Sequence, residues 1–121
     1  MNNKKIKLAV ISSLDFKNEE LLKSKINELQ LKDDIKELEF LTVGSEKNYL
    51  IKNYAKKENI ILNEIFPNYK NGIEALSLRN LEIIDNCDKM LIFWNGIELS
   101  IKKIIMQASF KNKDILITYY K

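Results

Sequence analysis

An open, doubly wound α/β fold, a five-stranded parallel sheet sandwiched between two helical layers, is what the 121-residue sequence predicts. Three observations carry that prediction. Short apolar runs rich in branched residues alternate with amphipathic stretches along the chain, in the order β-α-β-α-β-α-β-α-β. The first run, Ile6 to Ile11, is apolar throughout after Lys7, as a central parallel strand covered on both faces requires. No repeat, low-complexity tract or linker breaks the alternation, so 121 residues and 14.2 kDa make a single domain, residues 1–121, around one core.

Each element has a local cause. After the first strand, Ser12-Ser13 opens a loop, and a helix from about Asn18 to Leu29 sets Leu22, Ile26 and Leu29 at i, i+4 and i+7 in one core stripe. Glu19 and Glu20 fall in its first turn, where the helix dipole favours acids. Leu38 to Val43 is the second strand; it stops at Gly44-Ser45, where Ser45 is placed to cap a helix carrying Leu50, Ile51, Tyr54 and Ala55. Ile60 to Phe66 is the third. Pro67 to Gly72 holds the sole proline and reads as a loop, followed by a helical region to about Asn86. Met90 to Trp94 is a nearly pure apolar strand, Asn95-Gly96 a turn, and the next helix aligns Ile101, Ile104, Ile105 and Ala108. Asp114 to Tyr119 closes the sheet.

Composition removes several chemistries. Without histidine there is no Ser-His-Asp or Cys-His triad, no imidazole acid–base work and no zinc site that needs imidazole. Cys87 is the single cysteine, so neither an intrachain disulfide nor a cysteine-rich metal cluster is available, and a reducing cytoplasm fits. A net charge of +3, with lysines spread along the chain, gives no basic arm for nucleic acid. The polar start at Met1-Asn2-Asn3 precedes an apolar run too short, and interrupted by Lys7, for a signal sequence or membrane span.

Ligands of such sheets bind beyond the carboxyl ends of the strands, where helix N-termini offer free N–H groups to anions. The loops to consider are Ser12 to Phe16, Thr42 to Asn48 and Asn95 to Ser100. Ser12, Ser13 and Asp15 can bond ribose or phosphate, or simply cap the helix. Loop 42–48 has one glycine and neither dinucleotide nor P-loop spacing. Arg79 can grip a phosphate or pair with Glu82 at helical spacing. Trp94 can offer a flat face to a ring or pack in the core, and Asn95 can read an edge or form the turn with Gly96. Gly44, Ser45 and Ser100 complete the candidate lining.

Ser12-Ser13-Leu14-Asp15-Phe16 resembles the Gly-Ser-Arg-Asp-Phe turn of the YspA/YpsA-like branch of the SLOG superfamily, Rossmann-like relatives of DprA and the lonely-guy phosphoribohydrolases. Tyr54-Ala55, Phe66-Pro67, Arg79-Asn80 and Phe93-Trp94-Asn95-Gly96 match further landmarks of that branch in order, across nearly the whole chain. The resemblance implies strand order 3-2-1-4-5, which alternation alone does not separate from 2-1-3-4-5. It also implies a nucleotide-derived ligand gripped by Arg79 with Asn80 alongside, a homodimer, and a role as sensor or sponge for a signalling nucleotide. A composition rich in Lys, Asn and Ile points to an AT-rich bacterial or phage source, hence the bacterial or host cytoplasm.

Departures from that branch bear on activity. Its Gly-Gly-Ala-x-Gly-Ala-Asp stretch is replaced by Thr42-Val43-Gly44-Ser45-Glu46-Lys47-Asn48, which loses glycines that admit phosphate and adds Glu46, which repels it. Ser100-Ile101 stands for Gly-Thr, and Leu14 for the first turn's arginine. Ile104 occupies the position of the lonely-guy catalytic glutamate, leaving Asp15 and Glu98 as the nearby carboxylates. We therefore expect a binding protein without robust catalysis and with no required cofactor or metal. The alternatives are a ligand-free interaction module working through an apolar surface of the third or fourth helix, and a divergent N-glycosidic hydrolase.

Overall fold

The chain forms β1 (Lys5–Ser12), α1 (Glu19–Lys32), β2 (Glu37–Val43), α2 (Tyr49–Lys57), β3 (Ile61–Ile65), a 3-10 segment (Tyr69–Glu74), α3 (Ala75–Asn86), β4 (Lys89–Trp94), α4 (Leu99–Phe110) and β5 (Ile115–Tyr119) in a computed structural model that describes residues 4–46 and 48–121. The polar start at Met1–Asn3 and Lys47 of the second loop lie outside the described residues. Among the described residues no helix is long and apolar enough to cross a membrane.

All strand pairs are parallel and the order is β3-β2-β1-β4-β5, a Rossmann-like α/β sheet. Of the two orders compatible with the alternation, the chain adopts the one with β1 at the centre. That position explains its composition: Leu8, Ala9 and Val10 are wholly buried because both faces of β1 are covered. Leu8, Val10, Phe40, Leu91 and Phe93 point to the face covered by α1 and α2, where Leu22, Ile26, Ile51 and Tyr54 meet them. Ala9, Ile11, Leu41, Met90 and Ile92 point to the other, under Ile83, Ile84, Ile101, Ile104 and Ala108 of α3 and α4. Complete burial of side chains of this size stabilises by roughly 1.5–3 kcal/mol each.

Two local expectations need correction. Ser45 does not cap α2. Its cap position is Asn48, whose amide instead donates to Thr42 Oγ1 at 2.9 Å and to Val43 O at 3.3 Å, tying the loop back to its own strand. The Pro67–Gly72 loop is partly helical: Asn68 accepts from the Lys70 N–H at 3.1 Å and starts the 3-10 turn, which Gly72, at φ 63°, kinks before α3. Ile105 shares the core-facing side of α4 with Ile101, Ile104 and Ala108, packed against them while partly buried.

Candidate functional site

A cleft of about 170 Å³ opens at the carboxyl ends of β1 and β2, beside the point where strand order reverses between β1 and β4. Ser12, Ser13 and Leu14 form one wall, Thr42, Val43, Ser45 and Asn48 a second, Arg79 and Asn80 of α3 a third, and Glu98, Ser100, Ile101 and Ile104 at the start of α4 a fourth. Six residues expected from the sequence therefore share one cavity: Ser12, Ser13, Ser45, Arg79, Asn80 and Ser100. Asp15, Gly44, Trp94, Asn95 and Gly96 do not line it.

Arg79 is the charged centre of the α3 wall. It lines the cleft, and among the described residues no carboxylate pairs with it, so the ion pair with Glu82 is absent. Burial lowers its pKa, since a desolvated cation is disfavoured when no anion compensates it. Arg79 Nε–H donates to Asn80 Oδ1 at 3.1 Å; Asn80 Nδ2 donates to Gln107 Oε1 at 2.9 Å; Gln107 Nε2 donates to Ser77 O and Oγ at 3.2 and 3.0 Å. Asn80, only 7% exposed, thus acts less as a ligand contact than as a bracket that aims the guanidinium and couples α3 to α4. Gln107 was not distinguishable in sequence, because its partner lies 27 positions away on another helix.

The wall formed by the start of α4 is already knotted. Glu98 Oε1 accepts from the Leu14 N–H at 2.8 Å and Oε2 from the Ser100 hydroxyl at 2.7 Å. Asn95 Oδ1 accepts from the N–H groups of Ile97 and Glu98, each at 2.9 Å, while its Nδ2 donates to Asp15 Oδ1 at 3.2 Å and its own N–H to Ser13 Oγ at 3.1 Å. This is the turn-forming role for Asn95, and Gly96, at φ +84°, supplies a conformation that L side chains rarely adopt. Asp15 also accepts a short hydrogen bond from the Tyr120 hydroxyl. That bond, ahead of the one from Asn95, holds the Asp15 carboxyl below its usual range. Burial, and then the bond to Asp15, pushes the Tyr120 phenol up to about 12.

Two further residues serve packing. Trp94 Nε1–H donates to Glu98 O at 3.1 Å and its ring lies 5.6 Å from that of Tyr119, so it braces the loop before α4. Gly44 sits under the Phe66 ring, where a Cβ would meet ring carbons at 2.6 Å; its lack of a side chain serves this packing, not a phosphate. Glu46 is exposed and outside the cleft lining. Ile104, buried at the base of the α4 wall, leaves that part of the lining apolar. Leu50 and Phe16 also line the cavity.

Comparison with known protein families, with curated proteins and with solved structures finds no match in any of the three. Fold and cleft define a Rossmann-like α/β protein with one cationic side chain among the described residues that line the crevice at its switch point.

Proposed function

We propose that the cleft binds a nucleotide or nucleotide-derived small molecule and that the protein acts as a sensor or sequestering protein without robust turnover. The observation that carries this reading is Arg79: a partly buried guanidinium, held by Asn80 in the lining of the cleft and lacking a carboxylate partner among the described residues. Such a group is stabilised by an incoming anion, because a charge-assisted bond replaces lost hydration. Apolar Leu14, Ile101 and Ile104 with hydroxyls of Ser12, Ser13 and Ser100 suit a ribose or base edge. At about 170 Å³ the cleft is smaller than pockets that engulf a drug-sized molecule, roughly 300–1,000 Å³, so it takes one part of a nucleotide and leaves the remainder at the mouth. Strand order 3-2-1-4-5 agrees with the resemblance to the YspA/YpsA-like branch of the SLOG superfamily, and membership of that branch is part of the proposal.

Native mass spectrometry with nucleotides, cyclic oligonucleotides and ADP-ribose derivatives tests the reading. A discrete bound mass that stays intact on incubation, and weakens in Arg79→Ala, is expected; conversion to product would make the protein an enzyme, and an empty panel would defeat the binding role. In that last case the outer face of α3 and α4, with Leu78, Met106 and Phe110 exposed, favours the interaction-module reading. The same face is our candidate for a homodimer contact, which sedimentation of the wild type and Phe110→Asp would test.

A further inference from the structure

We infer that Gln107, a residue outside the cleft lining, is the positioning residue for its cation: through Asn80 it holds the Arg79 guanidinium so that the two Nη groups, and not Nε, are left to grip an oxyanion of the ligand. This rests on the binding reading above. Arg79 is the only arginine among the chain's 20 basic residues, so no other side chain supplies a planar, two-pronged donor. A guanidinium carries five N–H donors on three nitrogens, and here Nε–H is engaged by Asn80 Oδ1. That is the hydrogen bond this guanidinium makes among the described residues, so its remaining two-pronged edge is the one between Nη1 and Nη2. A group with two free oxygens, such as a phosphate, meets Arg79 end-on.

Asn80 does not choose its own orientation. One end of the series is Arg79 Nε–H, which can only donate; the other is the Ser77 carbonyl, which can only accept. Between them stand two side-chain amides, each with one accepting and one donating end. A single arrangement satisfies every junction: Gln107 Nε2 toward Ser77, Gln107 Oε1 toward Asn80 Nδ2, and Asn80 Oδ1 toward Arg79. Turning over either amide, or both, sets donor against donor at one junction and acceptor against acceptor at another. A backbone carbonyl of α3 thus sets the free edge of the guanidinium by way of a residue on α4. Asn80 is buried, so water is a poor substitute for Gln107. Gln107 itself lines the outer groove of α3 and α4 with Leu81, Met106 and Phe110, and its loss removes no group from the cleft.

Because the arginine is unique, its Nε–H gives one assignable signal in a nitrogen-correlated NMR spectrum, and exchange of that proton with water can be followed without a ligand. We expect slow exchange in the wild type, and exchange about three- to tenfold faster in Gln107→Met, which keeps the length of the side chain and loses its polar end, the size of one net hydrogen bond. Gln107→Glu, which still offers Asn80 an acceptor, should restore slow exchange. Calorimetric titration with inorganic phosphate and the four ribonucleoside 5′-monophosphates should show affinity about three- to tenfold lower in Gln107→Met than in the wild type. Fast exchange in the wild type, which needs no variant to fold, would overturn the positioning role while leaving the binding role intact. So would exchange or affinity unchanged in a Gln107→Met protein with a normal melting transition, or exchange as fast in Gln107→Glu as in Gln107→Met. Absence of wild-type binding to every probe, or binding indifferent to Arg79→Ala, would instead remove the binding reading and this inference with it.

Discussion

The α3 and α4 walls of the cleft solve opposite problems. At the α4 wall, Glu98, Asn95, Asp15 and Tyr120 satisfy one another and the surrounding backbone, and charge there is spent on holding two loops together. At the α3 wall, Arg79 has a bracket but no counter-charge among the described residues. A polar group whose bonds are complete stabilises a fold; one left incomplete beside a cavity is available to a ligand. The difference separates two uses of similar polar residues, and substitutions at the two walls should report on different quantities.

Replacing Arg79 by Ala should weaken an anionic ligand by about 1.5–3 kcal/mol while costing folding stability only about 1 kcal/mol, since the bond to Asn80 is lost but no ion pair is. Calorimetry and chemical denaturation on the same protein would check both halves; a large stability loss would mean that the two walls do not differ as described. Asn95→Ala should do the reverse, costing about 1–2 kcal/mol of stability through loss of its cap on Ile97 and Glu98, read as an earlier urea midpoint. Gly44→Ala should cost about 1 kcal/mol, because the Phe66 ring must swing away; Phe66 is 62% exposed and can do so, and a Gly44→Ala/Phe66→Ala double variant should show little further loss.

Tyr120→Phe should have the smallest effect at neutral pH, about 2–4 °C in Tm, and should sharpen the contrast through its pH dependence. In the folded chain the Tyr120 phenol is raised to about 12 from its ordinary 10.0, and burial raises the Cys87 thiol to about 11 from 9.0. Both groups hold their protons more tightly when folded, so their contribution is complete below pH 9 and lost as pH rises through 11 to 12. Tyr120→Phe should remove the upper part of that alkaline loss and leave the Cys87 part. At the acid end the lowered Asp15 pKa acts in the other sense: its contribution is complete above the ordinary 3.8 and lost as pH falls through the folded value. Denaturant midpoints measured from pH 3 to 12 would display both limbs, and a Tyr120→Phe profile identical to wild type would separate the phenol from the loop it is drawn to.

Much of the architecture was legible because the signals are local. Leu22, Ile26 and Leu29 announced the buried stripe of α1, and the unbroken apolar run from Leu8 to Ile11 announced a strand covered on both faces. Asn18 caps α1 through a bond to the Leu21 N–H at 3.0 Å, three positions away. Ser45 misled because its position before an apolar helix is also only local information: the deciding contact, Asn48 with Thr42, folds the loop back on its strand. The cleft was legible in outline, since Ser12, Ser13 and Ser100 fall at a strand end and a helix start, and the fold brings them together with Arg79 and Asn80 of the second turn of α3. Roles within it were not. Trp94 was open between a ring contact and core packing and Asn95 between a ligand edge and a turn, and only the tertiary bonds to Glu98, Ile97 and Asp15 show the brace and the turn they form.

Periodicity and apolar content settle which segments are strands and helices and which faces are buried, because burial of apolar surface depends on residue type at a repeating spacing. Hydrogen-bond partnership has no such spacing. Leu14 meets Glu98 across 84 positions, Asp15 meets Asn95 across 80 and Tyr120 across 105. A carboxylate or guanidinium reads the same in a chain whether it will be consumed by a neighbour or left facing a cavity. It took the assembled sheet, with β1 set between β2 and β4, to decide that Glu98 is engaged and that Arg79 is not.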